Sequence, residues 1–145
     1  MGISRHATAR WEGDLKTGQG RLSTPQSGLM ADTRYAFNSR FGDEKGTNPE
    51  ELIAAAHAGC FTMALSAKLT EAGHPPARLD TRADVDLSME GGPSLSQIRL
   101  KVDAQVPGID AAKFQAIAED AKANCPVSKA LAAVPVSLQA TLQGA

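Results

Sequence analysis

Cys60 and Cys125 are the only thiols in the 145-residue chain, and their local settings differ. Cys60 lies inside a long apolar stretch, residues 48–73, with helical character. Cys125 lies near the C-terminus in Asn124-Cys125-Pro126-Val127-Ser128. Two thiols far apart in sequence and unlike in setting fit a redox pair better than a metal clasp, provided that the fold brings them together. Burial in mid-helix raises a thiol pKa, so a reactive Cys60 needs a cation from elsewhere to hold its thiolate. Arg40, in Asn38-Ser39-Arg40-Phe41 just before the helix, is the leading candidate, with Arg21 and Arg34 as alternatives. Cys125 immediately precedes Pro126, which puts it at the N-terminus of a short helix, where free N–H groups and the positive dipole end favour a thiolate.

Each of these residues also has a plainer use. A free cysteine behaves as a small hydrophobe and is often simply buried. His57 and Cys60 stand three apart on one helix and Cys125 would be a third zinc ligand, but neither cysteine has the CxxC partner of a structural zinc site. A cysteine hydrolase needs Cys60 paired with a histidine base, and no local signature supports such a dyad. His57 therefore reads as a packed or hydrogen-bonded helix histidine. A dimer with structural or metal-binding cysteines and no catalysis is the alternative to a thiol enzyme.

The elements that must position these residues follow from pattern and punctuation. Residues 3–12 alternate weakly, residues 21–24 follow a Gly18-Gln19-Gly20 turn, and residues 34–37 offer a third short strand. Asn48 as N-cap, Pro49 at the first helical position and Glu51 three residues on open a helix that Gly73 closes. Leu79 to Met89 and Ile98 to Val106 alternate on either side of Gly91-Gly92-Pro93 and predict a hairpin. Asp110 caps a second helix, Pro126 begins a short one through about residue 132, and residues 136–142 form a last strand. The order βββ-α-ββ-α-β predicts an α+β fold with antiparallel sheet. The central helix is apolar around most of its girth, which one small chain has difficulty covering, so an obligate homodimer is inferred.

Length and composition bound the rest. A chain of 145 residues predicts one domain, 1–145. A net charge of -1 gives no reason to expect nucleic acid or an anionic membrane as partner. No apolar run is expected to reach membrane-spanning length, and residues 1–12 lack the apolar core of a secretory signal. Two cysteines are too few for a disulfide scaffold, so a cytoplasmic protein with a transient, catalytic disulfide is expected.

Several segments resemble the OsmC/Ohr family, the osmotically inducible and organic-hydroperoxide-resistance proteins. The run from Gly46-Thr47-Asn48-Pro49-Glu50-Glu51 through His57-Ala58-Gly59-Cys60-Phe61 to Leu65 resembles its central helix, and Asn124-Cys125-Pro126-Val127-Ser128 its second cysteine motif. Trp11-Glu12-Gly13-Asp14, Phe37-Asn38-Ser39-Arg40-Phe41 and Val106-Pro107-Gly108-Ile109-Asp110 are similar to the OsmC branch. The resemblance implies an intertwined homodimer with antiparallel sheets around two long central helices. It implies a peroxidase that reduces organic hydroperoxides, and often hydrogen peroxide, without metal or organic cofactor, in the setting of oxidative and osmotic stress. By resemblance Cys60 is the peroxidatic and Cys125 the resolving cysteine, Arg40 stabilises thiolate and peroxide, and Glu50 orients Arg40. The Ohr branch takes its arginine from the N-terminal strands; its Gly-Gly-Arg pattern is absent here, with Arg21 near the equivalent place. The partners implied are a hydroperoxide and an external dithiol. On one continuous helix Glu50 and Cys60 stand roughly 15 Å apart along the axis, so Glu50 is expected to serve the other subunit's thiol.

Overall fold

Alternation at the start of the chain is too weak to hold a long strand, and pairing begins only at Thr8. Strands β1 (Thr8–Glu12), β2 (Gln19–Ser23) and β3 (Thr33–Tyr35) form an antiparallel sheet in the order β1-β2-β3. Gly20, on β2, lets two rings close over it: Trp11 and Tyr35 meet edge to face at 5.6 Å. A Cβ at Gly20 would stand 2.7 Å from Trp11 Cε3. The expected third strand stops at Tyr35, and the chain then makes a helical turn, α1 (Phe37–Phe41), that the alternation reading did not anticipate. The cause is local. Ser39 Oγ accepts the Ala36 N–H at 2.9 Å and lies 3.0 Å from the Ala36 and Thr47 carbonyl oxygens. A side chain bonding its own backbone carries no periodic signal.

This computed structural model describes residues 2–144, which divide into two compact units, Met1–Leu52 and Ile53–Ala145. The dividing point falls within α2 (Pro49–Glu71), a continuous helix of 23 residues. Asn48 caps it, with Oδ1 accepting the Glu51 N–H at 2.8 Å. The reciprocal half of the expected capping box is redirected: the Glu51 carboxylate accepts instead from Thr47 Oγ1 at 2.9 Å. At the far end Gly73 takes φ +86°, and the His74 N–H donates to Leu69 O at 2.8 Å, a left-handed closure of the helix.

In the second unit β4 (Arg78–Ser88) and β5 (Ser94–Gln105) form the expected hairpin, with a register shift at Asp86/Leu87. The helices α3 (Ala111–Asn124) and α4 (Pro126–Ala130) follow, then β6 (Val136–Leu142). One strand departs from the antiparallel expectation: β6 pairs with β5 in parallel. The chain between them carries two helices, a crossover that returns it to β5 in the same direction, whereas a hairpin would reverse it. Strict alternation on β5 buries Ile98, Leu100, Val102 and Ala104. They share a core with Phe61, Leu65 and Leu69 of α2 and with Phe114, Ala118 and Ala121 of α3.

Helix α2 also corrects the membrane expectation. By length and composition alone it is apolar enough to cross a membrane, with mean hydropathy 1.4 over its most apolar window. Its buried stripe, His57, Phe61, Leu65 and Leu69 at intervals of four, joins it to the core of this unit instead.

Candidate active site

Helix α2 and the α3–α4 junction bring both thiols to one place. Cys125 ends α3 and caps α4, as its position before Pro126 led one to expect. Its Sγ accepts the Ser128 N–H at 3.3 Å and lies 3.3 Å from Ser128 Oγ. Cys60, three residues after the buried His57 on α2, lies near enough to Cys125 for the two thiols to alter each other's acidity, and the Val127 amide acts on both sulfurs. Both cysteines are unbridged; Cys60 is half-buried, Cys125 wholly buried.

The two sulfurs differ in acidity for physical reasons. Burial pushes the Cys60 thiol up, and the Val127 N–H only partly offsets it. A hydrogen bond and the charge of Cys125 push the same way as burial, so Cys60 stands above its ordinary value. Burial also pushes Cys125 up. The Ser128 hydroxyl and amide, the Cys60 thiol and the Val127 N–H together outweigh it, so Cys125 stands below its ordinary value. Within this unit the shared negative charge therefore favours Cys125, and Cys60 lacks the cation that a mid-helix thiolate needs.

His57 is also wholly buried, with Nε2 2.7 Å from Ser128 Oγ and Nδ1 without a hydrogen-bond partner. Burial lowers its pKa, leaving a neutral ring. A Cys60–His57 dyad is thus not formed, because the bonded nitrogen faces Ser128. Among the described residues no three His, Cys, Asp or Glu side chains gather where they would hold a metal ion. Ser128, which bridges Cys125 and His57, is a site neighbour that the sequence did not single out. Its only signal was its place three residues after a capping cysteine.

The cation candidates all lie in the first unit. Arg40 on α1 makes a forked pair with Glu50 in the first turn of α2. Nη2 donates to Oε1 at 2.8 Å, and Nε donates at 3.1 and 3.3 Å to the two carboxylate oxygens. Glu50 is buried, while the Arg40 side chain keeps 37% of its exposure and so has a free edge. The guanidinium lies over the Phe41 ring at 5.1 Å. Beside it Trp11, Tyr35, Phe37 and Phe41 line a hollow of about 230 Å³. Arg34 is instead paired with Glu44, and Arg21 donates only to the Asp32 carbonyl at 3.3 Å. Of the three arginines, Arg40 alone is held by a buried carboxylate.

Comparison with known proteins adds lineage to this geometry. The sequence profile of OsmC-like proteins matches residues 42–139. Peroxiredoxin OsmC of Escherichia coli (strain K12) is 53% identical over 134 residues, 92% of this chain and 93% of that protein. The organic hydroperoxide resistance protein of Xanthomonas axonopodis pv. citri (strain 306) is 36% identical over 87 residues, 59% of each chain. Among solved structures, an OsmC-like protein from Mycoplasma pneumoniae shares the fold with a TM-score of 0.73 at 15% identity, over 98% of this chain and 99% of that one. An organic hydroperoxide resistance protein OsmC from Legionella pneumophila does so with a TM-score of 0.67 at 23% identity, over 97% and 99%.

Proposed function

The chain belongs to the OsmC family, and we propose that it is a cysteine-based peroxidase that reduces organic hydroperoxides, and hydrogen peroxide, through Cys60. The observation that carries this reading is the pairing of a half-buried Cys60 with a wholly buried, hydrogen-bonded Cys125. The greater exposure of Cys60 and the burial of Cys125 support an order in which Cys60 meets the peroxide first. The Cys60 thiolate attacks the O–O bond, takes the terminal oxygen as a sulfenic acid and releases an alkoxide that is protonated to the alcohol. Cys125 then condenses with the sulfenic acid, expelling water and forming the Cys60–Cys125 disulfide before further oxidation sets in. An external dithiol restores both thiols by exchange. Such cycling suits the reducing cytoplasm, where a lasting structural disulfide is not maintained.

Arg40 supplies the missing cation in this reading. Its pair with Glu50 presets the guanidinium, and its free edge is available to the thiolate and to the charge developing on the peroxide oxygens. The aromatic hollow beside it suits an alkyl or aryl substituent. Because α2 is continuous and ten residues separate Glu50 from Cys60, the Arg40–Glu50 pair of one subunit serves the thiol of the other. The functional form is then an intertwined homodimer of one-domain chains, 1–145, with two composite sites.

Steady-state kinetics on cysteine variants test the scheme. Cys60→Ser abolishes hydroperoxide reduction, since an alcohol is not ionised at neutral pH. Cys125→Ser consumes about one equivalent, then stalls with dithiol reductants while Cys60 overoxidises to the sulfinic acid. A Cys125→Ser protein that cycles at the wild-type rate with a dithiol overturns the two-cysteine mechanism.

A further inference from the structure

The Cys125 thiol has to lose a proton when it condenses with a sulfenic acid, yet its side chain is 0% exposed, out of direct reach of bulk solvent. The one hydroxyl within hydrogen-bonding distance of its sulfur is Ser128 Oγ, at 3.3 Å. Ser128 Oγ is in turn 2.7 Å from His57 Nε2. His57 is itself buried, and its second nitrogen has no partner. A buried, unpaired imidazole nitrogen is costly to keep for packing alone. We propose that Ser128 and His57 form a relay that takes the proton from Cys125 as it resolves the Cys60 sulfenic acid, with His57 as the positioning residue that acts through Ser128.

This inference rests on the peroxidase reading and assigns residues to its second step. In the resting state the Cys125 S–H donates to Ser128 Oγ, and the Ser128 O–H donates to Nε2 of a neutral His57 protonated at Nδ1. As Cys125 Sγ attacks Cys60 Sγ, the thiol proton moves to Ser128 and the Ser128 proton to His57 Nε2. The S–S bond forms, and the S–O bond of the sulfenic acid breaks. The departing hydroxide takes a proton from solvent at the half-exposed Cys60 and leaves as water, and the imidazolium gives up the relayed proton as the site reopens. Cys125 is oxidised, Cys60 is reduced from sulfenic acid to disulfide level, and His57 returns neutral. The titratable group in direct contact with the relay is the Cys125 thiol, on which Cys60 in turn acts. Burial is the one influence that shifts the His57 titration, downward from its ordinary 6.5, so at neutral pH the ring is free to accept the proton.

Rapid mixing of the full-length protein with one equivalent of tert-butyl hydroperoxide, quenched with dimedone and an alkylating agent and read by mass spectrometry between pH 6 and 9, tests the relay. In His57→Gln, which keeps a hydrogen bond to Ser128 but cannot take the proton, disulfide formation slows about 100-fold and dimedone-reactive sulfenic acid accumulates. Ser128→Ala behaves likewise, and Ser128→Thr, which retains the hydroxyl, recovers most of the rate. The wild-type rate of resolution is level above pH 6.5, whereas the His57→Gln rate climbs with pH as hydroxide takes over. A His57→Gln protein that forms the disulfide at the wild-type rate overturns the relay alone, as does one that is slowed with the wild-type pH profile intact. A wild-type protein that forms neither sulfenic acid nor disulfide overturns the peroxidase reading and, with it, the step that the relay serves.

Discussion

Burial, amide dipoles and one missing cation decide what each thiol can do. Cys125 draws on the α4 amides and Ser128, whereas Cys60 has only the Val127 N–H against burial. Arg40→Ala is therefore expected to move the pH–rate profile for hydroperoxide reduction to higher pH and to slow attack at neutral pH about 100-fold, with little change in Tm. An unchanged profile would transfer the role to Arg21. His57 gives a second, thermodynamic signal. Its folded pKa lies below 6.5, so beneath pH 6.5 the unfolded chain takes up a proton that the folded chain resists. The stability that the neutral ring contributes is complete above pH 6.5 and is lost as pH falls toward the folded pKa. A Tm series from pH 7.5 to 5 should show that loss in the wild type and a flatter curve in His57→Gln. At this scale the capping place of Cys125 and the pairing of Arg40 with Glu50 were legible from their motifs. The Ser128–His57 contact was not, because it joins residues 71 positions apart and neither residue type is diagnostic.

Helix α2 was legible along its whole length, since Asn48, Pro49 and Gly73 mark its ends and apolar residues fill it. The hairpin was equally plain from alternation. Two features were not. The turn of α1 depends on Ser39 bonding to nearby backbone, and the parallel pairing of β6 depends on where α3 and α4 return the chain. Alternation reports which residues face the core and is silent on the direction of a neighbouring strand. The buried stripe of α2 yields a direct test. Leu65 is wholly buried against β5 and α3, and Leu65→Ala should cost about 2–5 kcal/mol in denaturant unfolding. A loss below about 1 kcal/mol would mean that the stripe is not part of the core. Gly73→Ala should cost about 1 kcal/mol through the left-handed φ alone.

One face of α2 is left uncovered by the second unit, to which most of the helix belongs. Ala56, Gly59, Met63 and Ala67, spaced three and four apart, are exposed, and Met63 keeps 76% of its surface open. So apolar a face on so long a helix supports the proposed second copy, and Met63→Arg should convert a dimer to monomer by sedimentation while impairing activity. Shared sites make a sharper claim. Co-expression of Cys60→Ser with Glu50→Ala should regenerate one intact site in each heterodimer, and activity no higher than that of the two separate homodimers would reject it. The sequence suggested this assembly twice, through a central helix apolar around most of its girth and through the family resemblance. The central claim, that Cys60 and Cys125 are spent together on a hydroperoxide, is met most directly by counting thiols. Addition of one equivalent of an organic hydroperoxide to the reduced protein should remove both thiols in step and leave a Cys60–Cys125 disulfide, reversible by a dithiol. Two thiols still titratable after that equivalent, or loss of one without the other, would contradict the account.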